Sequence, residues 1–183
     1  MNVDDGAWTE GRIGGGLMLD GMDDHVTIVG WKGIGGSRPR TCCAWIKTQD
    51  TMGLITGWGM AGGPGRRWLF LVDEQGRLRV EVGGGAIVGS TVISDGRWHH
   101  VAAVLEDDGT ASVDEVRLYV DGVCEVPSLT AEQAIDTVVN SASSQDVTIG
   151  GWPAAATYLK DVLDEVQIYE RALTPEQIAS MAE

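Results

Sequence analysis

The chain has 183 residues, and its 13 basic against 27 acidic side chains leave a net charge of −14. That length suits one domain with a substantial core. The charge repels phosphate backbones and anionic headgroups, which argues against a nucleic-acid partner and attraction to anionic membranes.

No apolar run reaches the ~18 residues needed to span a bilayer, and no signal peptide begins at Met1. Twenty-six glycines, one Phe and short apolar runs broken by turn signals predict an all-β chain of many short strands. Residues 1–10 read as a poorly structured start to a single domain over 1–183. Strands are expected at 13–20, 25–29, 41–48, 52–58, 67–73, 77–83, 86–93, 97–105, 114–121, 146–150 and 161–169. In Arg77 to Val82 the apolar and charged residues alternate with a period of two, which sends them to opposite faces. Asp73 to Gly76 reads as a tight hairpin link. Segment 128–145 is weakly patterned and fits a short helical turn at 130–135 followed by a loop. One helix is expected near the C-terminus: Thr174 is a good N-cap, Pro175 takes the first helical position and Gln177 completes a capping box.

Five blocks in this chain have a shared likeness. They are GRIGGGLMLDGMDDHV (Gly11–Val26), RTCCAWIK (Arg40–Lys47), DGRWHHVA (Asp95–Ala102), LYVDG (Leu118–Gly122) and LDEVQIYERALTPEQIASM (Leu163–Met181). In content and order they resemble the laminin-G-like, concanavalin A-like jelly-roll modules of extracellular multidomain proteins. The resemblance implies a two-sheet antiparallel β-sandwich with one short C-terminal helix, held in a secreted or cell-surface parent protein. Two departures stand out: no strand is evident ahead of Gly11, and Asp161 replaces the usual Gly before the last strand. A missing first strand would leave an open sheet edge through which the module could oligomerise or add a partner strand.

The acidic run Asp20-Gly21-Met22-Asp23-Asp24 offers hard oxygen ligands of the kind calcium prefers, with a glycine that lets the backbone turn. A solvated acidic turn is the plainer reading of the same residues. The resemblance implies a structural calcium held by Asp20, the Gly21 carbonyl and Asp24, with Asp164 reaching in from the last strand. His99 and His100 are adjacent, so a strand sends them to opposite faces, and a structural role fits them better than one shared site. Cys42 and Cys43 split in the same way, so free buried thiols, with at most one bridge to Cys124, are expected.

Glucan-cleaving relatives need two carboxylates on one strand face, in an E-x-D-x-x-E run, and none occurs here. A degenerate hydrolase is therefore the least favoured reading. Sugar sites need flat aromatic faces, and seven Trp against one Phe is an unusual choice. Trp45 and Trp98 lie inside strand blocks and read as core. Trp31, Trp58 and Trp152 sit beside glycines, with Trp68 and Tyr158 as further candidates. The expected function is a non-catalytic recognition module for a polysaccharide or glycan. A structural or adhesive protein–protein module is the rival.

Overall fold

The computed structural model describes residues 7–106 and 109–183. Its strands in chain order are β1 (Trp8–Glu10), β2 (Gly15–Asp20), β3 (Val26–Ile28), β4 (Arg40–Lys47), β5 (Gly53–Met60), β6 (Arg67–Val72), β7 (Arg77–Glu81) and β8 (Ala86–Val92). The remainder are β9 (Trp98–Leu105), β10 (Arg117–Val120), β11 (Val123–Cys124), β12 (Leu129–Ala131), β13 (Ser144–Ile149), β14 (Gly151–Trp152), β15 (Thr157–Tyr158) and β16 (Lys160–Tyr169). Among the described residues there is one α-helix, α1, over Pro175–Met181.

Two antiparallel seven-stranded sheets face each other. The first runs β1-β2-β16-β4-β9-β10-β11 and the second β12-β8-β7-β6-β5-β13-β3, while β14 and β15 form a separate two-stranded ribbon. This is the expected sandwich. Period-two alternation decides which side chains fill it. On β6, Trp68, Phe70 and Val72 join the core between the sheets, and Leu69 and Leu71 belong to a separate apolar cluster on the other face. Each fully buried Leu, Val or Phe of that core contributes about 1.5–3 kcal/mol.

A fully buried cation helps to hold the loops onto the core. Arg40, at the start of β4, is fully buried. Its guanidinium donates to the carbonyls of Ile34, Gly36 and Arg38 and to the Thr137 hydroxyl at 2.7–3.1 Å. It also lies 5.1 Å from the Trp68 ring centre and 5.9 Å from that of Trp58. The cation therefore ties three loop carbonyls to the centre of the sandwich.

Three expectations change. Trp8–Glu10 form a strand paired with β2 through Trp8↔Leu17 and Glu10↔Gly15, so an edge strand does precede Gly11. Residues 1–6 lie outside the described part of the chain. The open edge of β2 supplies unpaired backbone groups, and Trp and Thr suit a pleated surface. The helical turn expected at 130–135 is instead strand β12, paired with β8 through Leu129↔Val88. Of 114–121, the first part is a 3₁₀ turn over Val113–Glu115, held by the reciprocal Ser112–Glu115 capping box, and strand pairing starts at Arg117.

The C-terminal helix forms with the Thr174–Gln177 capping box in place. Its buried Ile178, with Leu173, covers Cys43, Ala102, Val104 and Tyr119 on the outer face of the first sheet. Cys42 faces the other way, into the main core; both thiols are free, as is the exposed Cys124. Among the described residues no helix is long and apolar enough to cross a membrane.

Candidate functional site

The acidic turn links β2 to β3. Gly21 adopts φ 79°, and a Cβ there would lie 2.8 Å from Lys160 Cβ, so the turn needs glycine. Asp20 Oδ1 accepts from the backbone N–H of Met22 at 2.8 Å, Asp23 at 3.3 Å and Asp24 at 3.5 Å. These bonds, that of Met22 foremost, hold the Asp20 carboxyl below the ordinary carboxylate range. Asp24 Oδ2 accepts in return from the Asp20 N–H at 3.1 Å. One carboxylate oxygen each from Asp20, Asp23 and Asp24 lies within 4.8 Å of the others.

Asp164 does not join them. Lys160 is the residue of β16 opposite Asp20, and Asp164 is four residues further along, roughly 13 Å at ~3.3 Å per residue. Its buried carboxylate accepts from the N–H of Ile13 and of Glu165, both at 2.8 Å, and so pins the loop after β1. The strand register, invisible in the sequence, separates the two.

The tryptophans also rearrange. Trp58 is 0% exposed, stacks on Trp68 with ring centres 6.3 Å apart and donates from Nε1 to the Ile34 carbonyl at 3.0 Å. Gly33 lies flat against its indole; a Cβ there would come within 2.5 Å of the ring. Trp152 is 1% exposed and packs on Leu54, Leu69 and Leu71. Neither ring offers a free face. Trp31 is half-buried against the core, and Tyr158 is half-buried with its ring 6.0 Å from that of His25. Adjacent glycines make Trp58 and Trp152 candidates for exposed rings, but both rings are buried, and the glycine that makes room for the Trp58 ring is the distant Gly33.

A different constellation occupies the outer face of the second sheet. Alternation points Leu54 of β5, Arg67, Leu69 and Leu71 of β6, and Arg79 and Glu81 of β7 outward, and the register sets Leu69 opposite Glu81 and Leu71 opposite Arg79. The β14–β15 ribbon borders this surface through Trp152 and Thr157 and closes a cavity of about 160 Å³. Its floor is leucine. Arg67 pairs with Glu81, and Arg79 donates to the other Glu81 oxygen at 2.8 Å. The Nε groups of Arg67 and Arg79 are buried without a hydrogen-bond partner. A buried donor left unmade costs about 1–3 kcal/mol. The signal for this site in the sequence was the outward charge alternation of β7; its partner, Arg67, opens the strand expected at 67–73, and nothing local marks the two as neighbours.

Residues 20–179 match a laminin-G family model described as the concanavalin A-like lectin/glucanases superfamily. The chain belongs to that superfamily. Comparison with curated proteins finds no match. Among solved structures, this laminin-G-like chain is similar to the CBM40 of the Ruminococcus gnavus IT-sialidase bound to α2,3-sialyllactose. Identity there is 13%, coverage 88% of this chain and 98% of that one, and the TM-score 0.61. Domain 4 of a GH43 extracellular arabinanase from Geobacillus stearothermophilus, in complex with arabinotriose, is 20% identical over 96% of this chain and 80% of that one, with TM-score 0.63. The mouse laminin α1 LG4-5 pair is 18% identical over 95% of this chain and 46% of that one, with TM-score 0.58.

In this laminin-G-like frame the paired histidines take different surroundings. His99 bridges Asp121 at 2.8 Å and Asp95 at 3.2 Å, and the His100 N–H donates to the other Asp121 oxygen at 2.9 Å. The two ends of the block from Asp95 to Gly122 are thereby tied together, which gives its carboxylates a structural use. His100 is buried edge-on against Trp45, with ring centres 5.5 Å apart. Desolvation pushes its pKa down, more than nearby Asp121 raises it.

Proposed function

We propose that this module is a non-catalytic carbohydrate-binding domain of a secreted or cell-surface protein, and that its glycan docks in the cavity over Leu54, Leu69 and Leu71. The observation that carries the reading is a cavity with a leucine floor rimmed by the charged groups of Arg67, Arg79 and Glu81. Sugar C–H faces suit such a floor, and ring hydroxyls suit the polar arginine and glutamate groups that rim it. A cavity of about 160 Å³ suits one sugar residue of a longer chain rather than a whole oligosaccharide. The glycans seen on the structural neighbours, sialyllactose and arabinotriose, are the first probes to use. Calorimetric titration of both, on the wild type and on Arg79→Gln, tests the assignment. Binding that Arg79→Gln leaves unchanged would remove the cavity from consideration.

The donor set at the acidic turn fits a hard divalent cation. Asp20, Asp23 and Asp24, with the Gly21 carbonyl, would hold calcium there, and Asp164 would take no part. The ion would offset three clustered charges and fix the β2–β3 turn. Dialysis against a chelator is expected to lower the melting temperature, and an unchanged transition with and without added calcium would exclude the ion.

An adhesive protein–protein role is the second reading. It is favoured by Trp8, 67% exposed on the edge strand β1, where an extended segment could add. Silence on a glycan array together with a concentration-dependent dimer in solution would favour it over the carbohydrate reading.

A further inference from the structure

A second cavity, of about 310 Å³, opens on the outer face of the first sheet, between the loop after β1 and the C-terminal helix. Trp45, His100, Glu165, Gln167, Tyr169 and Glu183 line it. Four observations there share no cause with the glycan site.

First, the Nδ1 of buried His100 has no hydrogen-bond partner. Second, Glu165 stands at φ 47°, in the left-handed region that a residue with a Cβ rarely adopts. It does so where the β16–β4 register slips between Asp164 and Gln167. Such bulges re-aim side chains, and the strain persists only where the surroundings hold it. Third, Tyr169 donates its hydroxyl to Gln167, and Gln167 Nε2 donates to Glu165 Oε2 at 3.5 Å, so this wall orders a carboxylate toward the cavity. Fourth, the face of Trp45 already takes a cation: the guanidinium of exposed Arg12 lies 4.7 Å from the ring centre.

Both ionised groups lining the cavity, Glu165 and Glu183, are acids, and Trp45 and Tyr169 are among its walls; the Tyr169 ring, like that of Trp45, already has an arginine against it, Arg171 at 5.7 Å. That is the chemistry of organic-cation recognition, with ring quadrupole and carboxylate acting together. We infer that this cavity is a binding site for an alkylguanidinium or alkylammonium group, and that Arg12 occupies its Trp45 wall as a displaceable internal stand-in. Arg12 sits on the exposed Gly11–Gly14 loop, so its release costs little packing. The site is independent of glycan binding on the opposite sheet.

The test titrates n-butylguanidinium, the neutral n-butylurea and an acetylated Gly-Arg-Gly amide, following the Trp45 indole N–H by NMR. The guanidinium should shift that signal and the urea should not. Arg12→Ala should tighten binding about two- to fivefold, the worth of an exposed cation–π contact. Glu165→Gln should weaken it about two- to fivefold. Both residues are exposed, so neither variant endangers folding. Peptide binding would point to an arginine of a protein partner, and binding of butylguanidinium alone to a small free guanidinium compound; either supports the site. Equal shifts from the urea, or none from the guanidinium even in Arg12→Ala, would overturn it.

Discussion

Replacing Trp152 by Ala separates packing from ligand stacking at the edge of the glycan cavity. The ring is 1% exposed and covers Leu54, Leu69 and Leu71. An aromatic of this kind removes about 150–250 Å² from water, which at ~25 cal/mol per Å² is worth roughly 4–6 kcal/mol. The cluster lies outside the main core, where the β14–β15 ribbon can settle onto the leucines, so the lower part of the usual range applies, about 3–4 kcal/mol. At about 2–4 °C per kcal/mol for a domain of this size, the melting temperature falls by roughly 10 °C. Urea and thermal unfolding read the loss directly, and Trp152→Phe should recover most of it. A Trp152→Ala protein within about 1 kcal/mol of wild type that nevertheless lost glycan binding would refute the reasoning. It would make Trp152 a stacking platform, as its glycine neighbours first suggested.

Three other perturbations follow from buried groups. Arg40→Met strands the Arg38 carbonyl and takes one of two donors from the carbonyls of Ile34 and Gly36, which keep Trp58 Nε1 and the Thr137 N–H; at about 1–3 kcal/mol for a buried group left unmade, the urea midpoint should drop by more than any surface substitution achieves. A loss under ~1 kcal/mol would mean the loops re-pair without the guanidinium. Burial pushes the Cys42 and Cys43 thiols up to about 12, whereas Cys124 is exposed. Mass spectrometry after iodoacetamide at neutral pH should find one adduct, on Cys124, in native protein and three in urea; modification of Cys43 in native protein would contradict its cover by Leu173 and Ile178. For His100 the folded pKa lies below the ordinary 6.5, so on acidification the unfolded chain takes up a proton first. Stability is therefore full above pH 6.5 and declines as pH falls below it. His100→Gln should flatten that slope between about pH 6.5 and 5, before carboxylates protonate. An unchanged slope would place the titration elsewhere.

The sandwich was legible through the five-block family resemblance, whereas the pattern of residues itself settled the period-two strands such as Arg77–Glu81, the Asp73–Gly76 hairpin and the capped helix at Pro175. These rest on local rules: alternation, turn chemistry and capping each need only a few neighbouring residues. It also showed that the two histidines and the Cys42–Cys43 pair must part across a strand, because that follows from the pleat alone. Even so, β1 and β12 were missed, since three-residue edge strands are formed by the neighbour they pair with and carry little pattern of their own.

The site residues depended on register and burial, which no local pattern contains. Asp164 looked like a partner for the acidic turn, but β16 pairs Lys160 with Asp20 and leaves Asp164 four positions away. Trp58 and Trp152 looked exposed beside glycines, but Trp58 is buried against the distant Gly33 and Trp152 on Leu54, Leu69 and Leu71, contacts that adjacent residues do not reveal. Arg67 and Glu81 meet only because β6 and β7 lie side by side. Composition and spacing decided which surfaces could exist; the pairing of distant strands decided which side chains share one.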